Sequence, residues 1–246
     1  MYKKYAITFG GGKQAYLDAA TRLKKQIESL NVFDEVISFT PDDLKKDDTF
    51  WEQHGNFIEL NKKGYGYWIW KSYIINSVLG TMNEGDILFY ADSGCEAHAR
   101  KRDYLLQSIN RIETDSQPIY FSKLRGSKFR ESRWTKNDVF DKIDISSNNR
   151  VKRTAQNQAG ILLIRKCAIS EELISEWDKL TKIDNYHLVD DTPSSTPNHH
   201  GFMQHRHDQS ILSVLLKKKG YVVDENRDME KAIYCIRNRT GSSRIL

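Results

Sequence analysis

Asp86-Ile-Leu-Phe-Tyr-Ala-Asp-Ser-Gly-Cys-Glu96 is the stretch on which the reading of this chain turns. Residues 86–91 form a continuous apolar run, the pattern of a strand buried on both faces of a parallel sheet. Asp92 follows directly, at the strand's carboxyl end, and the small pair Ser93-Gly94 comes next. Ligands of α/β sheets gather at that edge. A carboxylate emerging there with little bulk beside it suits a hard divalent cation that also carries phosphate oxygens. Asp-Ser-Gly is also ordinary turn chemistry, and the residues alone leave both readings open.

Outward from this run the chain alternates strands and helices. Residues 5–9 read as a first strand closed by Gly10-Gly11-Gly12. Apolar positions at helical spacing follow over 13–30. A second strand is expected at 36–39, helices at 50–60, 67–79 and 101–112, and a short strand at 119–122. Residues 160–164 (Gly-Ile-Leu-Leu-Ile) are a second buried strand, and 171–180 carry Leu173, Ile174, Trp177 and Leu180 on one stripe. A helix over 208–219 and a strand at 221–223 close the pattern. Alternation of this kind predicts an α/β fold, a mostly parallel sheet with helices on both faces. No repeat or linker interrupts it, so residues 1–246 are expected to form a single domain.

Composition bounds the function classes. A chain of 246 residues buries roughly 73% of its unfolded surface on folding, enough for a core without staples. Three cysteines (Cys95, Cys167, Cys235) with no Cys-x-x-Cys pair argue against a disulfide framework and for a reducing compartment. The first residues do not read as a signal peptide, and no apolar run approaches the ~20 residues of a membrane helix. The expected location is cytoplasmic, with peripheral contact at the inner face of a membrane as a further expectation. Net charge is 38 − 33 = +5, but residues 123–136 hold six cations against the single acid Glu131. Such clustering favours an anionic partner.

Several motifs could carry chemistry. Gly10-Gly11-Gly12-Lys13 matches neither the P-loop nor the dinucleotide fingerprint, yet a glycine turn after a first strand lets backbone approach a nucleotide. In Gly64-Tyr-Gly-Tyr-Trp-Ile-Trp-Lys71 the aromatics are expected in the core, with Lys71 placed to meet a diphosphate. Five of the seven histidines fall in 184–207, without the spacing of a zinc site. Within it, residues 187–207 are polar and proline-interrupted, and are expected to be a mobile lid that orders when a ligand binds. Asp208 begins an apolar helix and could cap it or face a substrate.

Together these pieces resemble nucleotide-sugar glycosyltransferases of the GT-A fold. The likeness extends to bacterial lipopolysaccharide galactosyltransferases and to a glycosyltransferase group of large algal viruses. In that family a strand ends in Asp-x-Asp, which holds manganese or magnesium on the donor diphosphate. Here Asp92 matches the first aspartate, Gly94 stands at the second, and Glu96 is a poor substitute by position. Asn157-Gln158-Ala159-Gly160 resembles the family's Asn-Ala-Gly strand, and Asp208-Gln209 its Asp-Gln helix start. The resemblance implies sugar transfer from a nucleoside-diphosphate sugar, UDP-linked, to a hydroxyl of a glycan or lipid-linked acceptor. It implies donor contacts from Phe9, Gly10, Gly11, Lys71, Asp92, Ser93 and Gln158, a Mn2+ or Mg2+ ion at Asp92, and Asp208 as the base. The rival reading is a nucleic-acid-binding module, in which Tyr120, Phe121, Phe129 and Trp134 would stack bases in a basic groove. Nucleic acid is not the expected partner, because that reading leaves the acidic residues without a role.

Overall fold

The computed structural model describes residues 2–245. In chain order the elements that build the site are β1 (Lys4–Phe9), α1 (Gln14–Ser29), β2 (Glu35–Phe39), α2 (Asp48–Leu60), α3 (Ile69–Thr81), β3 (Ile87–Ala91) and β4 (Cys95–Ala97). They continue through α4 (Arg102–Ile112), β5 (Ile119–Lys123), β6 (Asn157–Arg165), α5 (Ala168–Leu180), α6 (His207–Lys218) and β7 (Ile233–Cys235). The central sheet has the order β2-β1-β3-β6-β5. β2, β1 and β3 are parallel, and β6 runs antiparallel to both β3 and β5. Four of the five strands therefore point the same way, and the reversed one is the buried run at 160–164.

The sheet's two faces are separated by the two-residue strand period. Leu88 and Tyr90 join Leu162, Ile164 and the buried stripe Leu173, Ile174, Trp177, together with α3 and α6. Ile87, Phe89 and Ala91 join Ile161 and Leu163 beneath Leu23 and Ile27 of α1 and Leu105 and Ile109 of α4. β3 is buried at every position because helices cover it on both sides. Trp177 is wholly buried, and its indole N–H donates to the carbonyl oxygen of Asp208 at 3.1 Å. That bond ties α5 to the start of α6, the end that reaches the candidate site.

One expectation fails. Residues 221–223 form no strand, and the chain's last strand is β7, which pairs with β4 through Cys95↔Cys235. Three residues are too few for a periodic signal, and their partner lies about 140 positions away. The 187–207 stretch is irregular, as expected, but its ends are pinned. Leu188 and Val189 are core residues, and the buried rings of His205 and His207 bond their carbonyl oxygens at 2.8 and 2.7 Å. Among the described residues no helix is long and apolar enough to cross a membrane.

Candidate active site

One edge of the sheet collects every candidate. β1 and β3 are adjacent and parallel, so the turn after Phe9 and the turn after Ala91 emerge side by side. β6 runs the other way and brings its beginning to the same edge, where the Asp92 N–H donates to the Gly160 carbonyl at 2.9 Å. The first turns of α3 and α6 supply Lys71 and Asp208.

These three side chains meet. The Lys71 ammonium lies 3.1 Å from Asp92 Oδ1 and 2.8 Å from Asp208 Oδ2. Tyr90, two positions back on the same face of β3, donates its hydroxyl to Asp92 Oδ1 at 2.6 Å, and its ring lies 5.5 Å from the ammonium. Lys71 and Asp208 are almost wholly buried, whereas 42% of the Asp92 side chain is exposed. The ion pair with Lys71 is the single polar contact of Asp208 Oδ2. Asp208 Oδ2 is thus a buried carboxylate oxygen without a hydrogen-bond partner. Burial pushes the Asp208 carboxyl up to about 6, with Lys71 offsetting part of that. Burial alone would lower the Lys71 ammonium, but Asp208 and Asp92 together raise it above the ordinary lysine value. Lys71 stays charged.

Strained backbone borders the cluster. Tyr65, Tyr67, Trp68 and His207 all have φ between 51° and 64°, a left-handed conformation that side chains with a Cβ avoid. Trp68 stacks on the His207 ring at 5.3 Å, and Tyr67 lies 5.0 Å from it. Left-handed residues of this kind cost about 1–3 kcal/mol each and concentrate at functional sites.

Other sequence candidates sit differently from their expected roles. Lys71 does not face solvent where a diphosphate could reach it; it stands behind the two aspartates. Asp208 is not the N-cap of α6, which is Arg206, and it makes no capping bond. Phe9 is buried by stacking on Trp70 at 3.9 Å. Gly10 and Gly11 lack side chains for packing reasons. A Cβ at Gly10 would fall 2.5 Å from the Tyr16 carbonyl oxygen, and one at Gly11 would fall 2.6 Å from the Phe9 ring. The Gly10 N–H is also committed, to Phe39 at 3.0 Å. Ser93 is buried, with its carbonyl held by Arg22 at 2.9 Å, and Gln158 accepts from the Ser122 hydroxyl at 2.7 Å.

The four aromatics of the rival reading do not form one open stacking surface. Tyr120 and Phe121 are core residues of β5. The Arg206 guanidinium covers Trp134 at 3.8 Å and Phe129 at 5.3 Å. Lys136 is buried on carbonyl oxygens and Asp190 rather than solvated, and Glu131 pairs with Lys217.

Sequence reasoning missed several residues at this edge. Gly160 lacks a Cβ that would lie 3.0 Å from Asp92 Oδ2, so its bareness leaves room for the carboxylate. Exposed Arg237 passes over the turn, its Cα 3.2 Å from where a Cβ of Gly94 would stand. It reaches the edge only because β7 folds back on β4, a pairing no local pattern announces.

The metal that the resemblance implies fits these residues poorly. Glu96 is wholly buried below the turn on Arg22 and Asn238. A larger side chain at Gly94 would press on the backbone of Arg237. Among the described residues no three His, Cys, Asp or Glu side chains converge. Asp208 faces Lys71, so Asp92 Oδ2 is the single outward carboxylate oxygen of the cluster. A hard dication wants several oxygens.

No protein-family model and no curated protein sequence matches the chain. Among solved structures it is similar to mouse xyloside xylosyltransferase 1, apo form, at 11% identity and TM-score 0.48, over 90% of this chain and 84% of that one. It is similar to the galactosyltransferase LgtC in complex with donor and acceptor sugar analogs, at 13% identity and TM-score 0.48, over 91% and 74%. It is similar to the apo form of the glycosyltransferase GlyE of Streptococcus pneumoniae TIGR4, at 16% identity and TM-score 0.46. That match covers 92% of this chain but less than half of GlyE, 46%. Likeness at this level transfers no residue roles.

Proposed function

We propose that this protein is a glycosyltransferase, moving a sugar from a nucleoside-diphosphate donor, UDP-linked, to a hydroxyl of a glycan or lipid-linked acceptor. The observation that carries the reading is the Lys71–Asp92–Asp208 cluster at the carboxyl edge of β3, with one carboxylate exposed and its partners sealed behind it. The open carboxylate stands at the strand edge where α/β sheets bind ligands, beside strained backbone, and both features support the reading.

The transfer breaks the bond between the anomeric carbon and the diphosphate oxygen and forms one to the acceptor oxygen, which gives up its proton. Asp92 is the group placed to meet the sugar and to take that proton. Its outward oxygen is free, and Tyr90 and Lys71 hold the other at a fixed position. Fixed charges aimed at the reacting centre need no reorganisation as charge develops. Asp208 keeps Lys71 in place and charged, acting on the substrate through that lysine. Asp92 therefore takes the role that the sequence alone suggests for Asp208.

A panel of nucleotide sugars, with release of nucleoside diphosphate as the readout, tests the reading. The expected result is saturable release from donors of one base, faster when the correct acceptor is supplied. Neither binding nor release across the whole panel would overturn it.

A further inference from the structure

The resemblance in the sequence calls for a divalent ion at Asp92, and the residues around Asp92 do not provide for one. We infer that the protein's own cations stand in for it: the Lys71 ammonium fills the cation position between Asp92 and Asp208, and the leaving diphosphate meets Arg237 on the strap that follows β7. This rests on the glycosyltransferase reading for its substrate and on geometry for its charge.

Three observations converge. First, the ammonium is within 3.1 Å of both carboxylates at once and is sealed from solvent, the placement a bridging ion would need. Two carboxylates and one ammonium leave a single negative charge, so little attraction remains for a dication. Second, the position that would supply another carboxylate is closed. Gly94 packs against the Arg237 backbone, and the Asn238 N–H donates to the Gly94 carbonyl at 2.9 Å. The strap is fixed here by its own chain, since Asn238 is buried on Glu96. Third, the same passage lays exposed cations along the edge. Arg237 lies near enough to Arg206 for their charges to repel. Arg239 sits 5.5 Å from the ring of Tyr16, in the helix that follows the glycine turn. Of these, Arg237 passes directly over the turn that follows Asp92, and a guanidinium group there suits the paired phosphate oxygens of a leaving diphosphate.

Lys71 is a positioning residue in this account, so its test needs a readout that a structural role would not move. Binding of Mn2+ alone, followed by the electron paramagnetic resonance signal of the free ion, is such a readout and requires no donor. The parent protein should bind Mn2+ weakly. Lys71→Met, which vacates the position between two carboxylates, should bind it about tenfold more tightly or better, and Lys71→Arg should restore the weak binding. With a donor, release of nucleoside diphosphate by the parent should be unchanged by a chelator, and Arg237→Ala should raise the donor KM about tenfold with kcat less affected. Tight Mn2+ binding by the parent, or release silenced by the chelator and restored by Mn2+, would overturn the inference. If Lys71→Met does not fold, the parent's Mn2+ affinity and chelator response decide alone. A panel without any turnover would instead count against the glycosyltransferase reading, and the Mn2+ measurement would still decide this one.

Discussion

Two buried cation–carboxylate clusters flank the turn from Asp92 to Glu96, and they are built in opposite ways. On one side Glu96 is fully enclosed and fully bonded. It accepts from Arg22 at 3.4 Å, Asn238 at 2.5 Å, Ser243 at 2.6 Å and the backbone N–H groups of Arg244 and Ile245 at 3.0 and 3.2 Å. Arg22 in turn holds the carbonyls of Ser93 and Cys95 at 2.9 Å, leaving only its Nε without a partner. On the other side Asp208 Oδ2 has no hydrogen bond and Asp92 opens to solvent. A buried charge with all its lone pairs satisfied is a brace. One left short of partners beside an exposed twin is the arrangement on which the proposed site rests.

Breaking the brace should give the largest effect. Glu96→Ala leaves Arg22 buried without its partner, which costs about 3–5 kcal/mol. Chemical denaturation should show that loss, and because the freed strap carries Arg237, any change in turnover should appear as a raised donor KM with kcat near the parent level. If stability is unchanged, the clamp does not hold the strap.

Acid sharpens the comparison, because the two carboxyls move in opposite directions. Burial works against ionised Glu96, but the hydrogen bonds from Ser243, Asn238 and the backbone prevail and bring it down to about 2. Its contribution is present above an unfolded value near 4.5 and is lost as pH falls toward 2, on the order of 3 kcal/mol. Asp208 is raised to about 6 against an ordinary 3.8. Its contribution is present below 3.8 and is lost as pH rises through 6, again on the order of 3 kcal/mol. Unfolding free energy measured across pH should therefore fall below pH 4.5 through Glu96, and Asp208→Asn should flatten the decline between pH 4 and 6. A parent-like slope in Asp208→Asn would mean the buried carboxyl is not ionising there.

A subtler change separates space from charge. In Gly160→Ala the added Cβ stands 3.0 Å from Asp92 Oδ2, so the carboxylate must shift by a few tenths of an ångström. Turnover should drop about tenfold, roughly 1.4 kcal/mol, and the melting temperature should barely move. Full activity would show that the outward position of Asp92 is not critical.

The strands and helices that reach the site were readable because their apolar periods are long. The run at 86–91 and the stripe Leu173, Ile174, Trp177 fall where the spacing places them. Direction was not readable. A strand buried on both faces looks the same whether parallel or reversed, so the run at 160–164 reads only as a second buried strand. Asp92 was legible as a strand-end carboxylate, and Asp208 as a residue with two candidate roles. Their meeting on Lys71 was not, since that contact depends on how three elements converge. Likewise Glu96 looks like a weak second ligand until residues 238–245, some 140 positions later, are seen to close on it.

Asp92→Asn is the most direct test of the account. Asparagine keeps the size of the side chain and can still accept from Tyr90, but it cannot hold a negative charge or take a proton. On the donor that the parent turns over best, the variant should release nucleoside diphosphate about 100-fold more slowly or worse, with a parent-like melting temperature. Release at the parent rate from a folded Asp92→Asn protein would contradict the assignment of this edge as the active site.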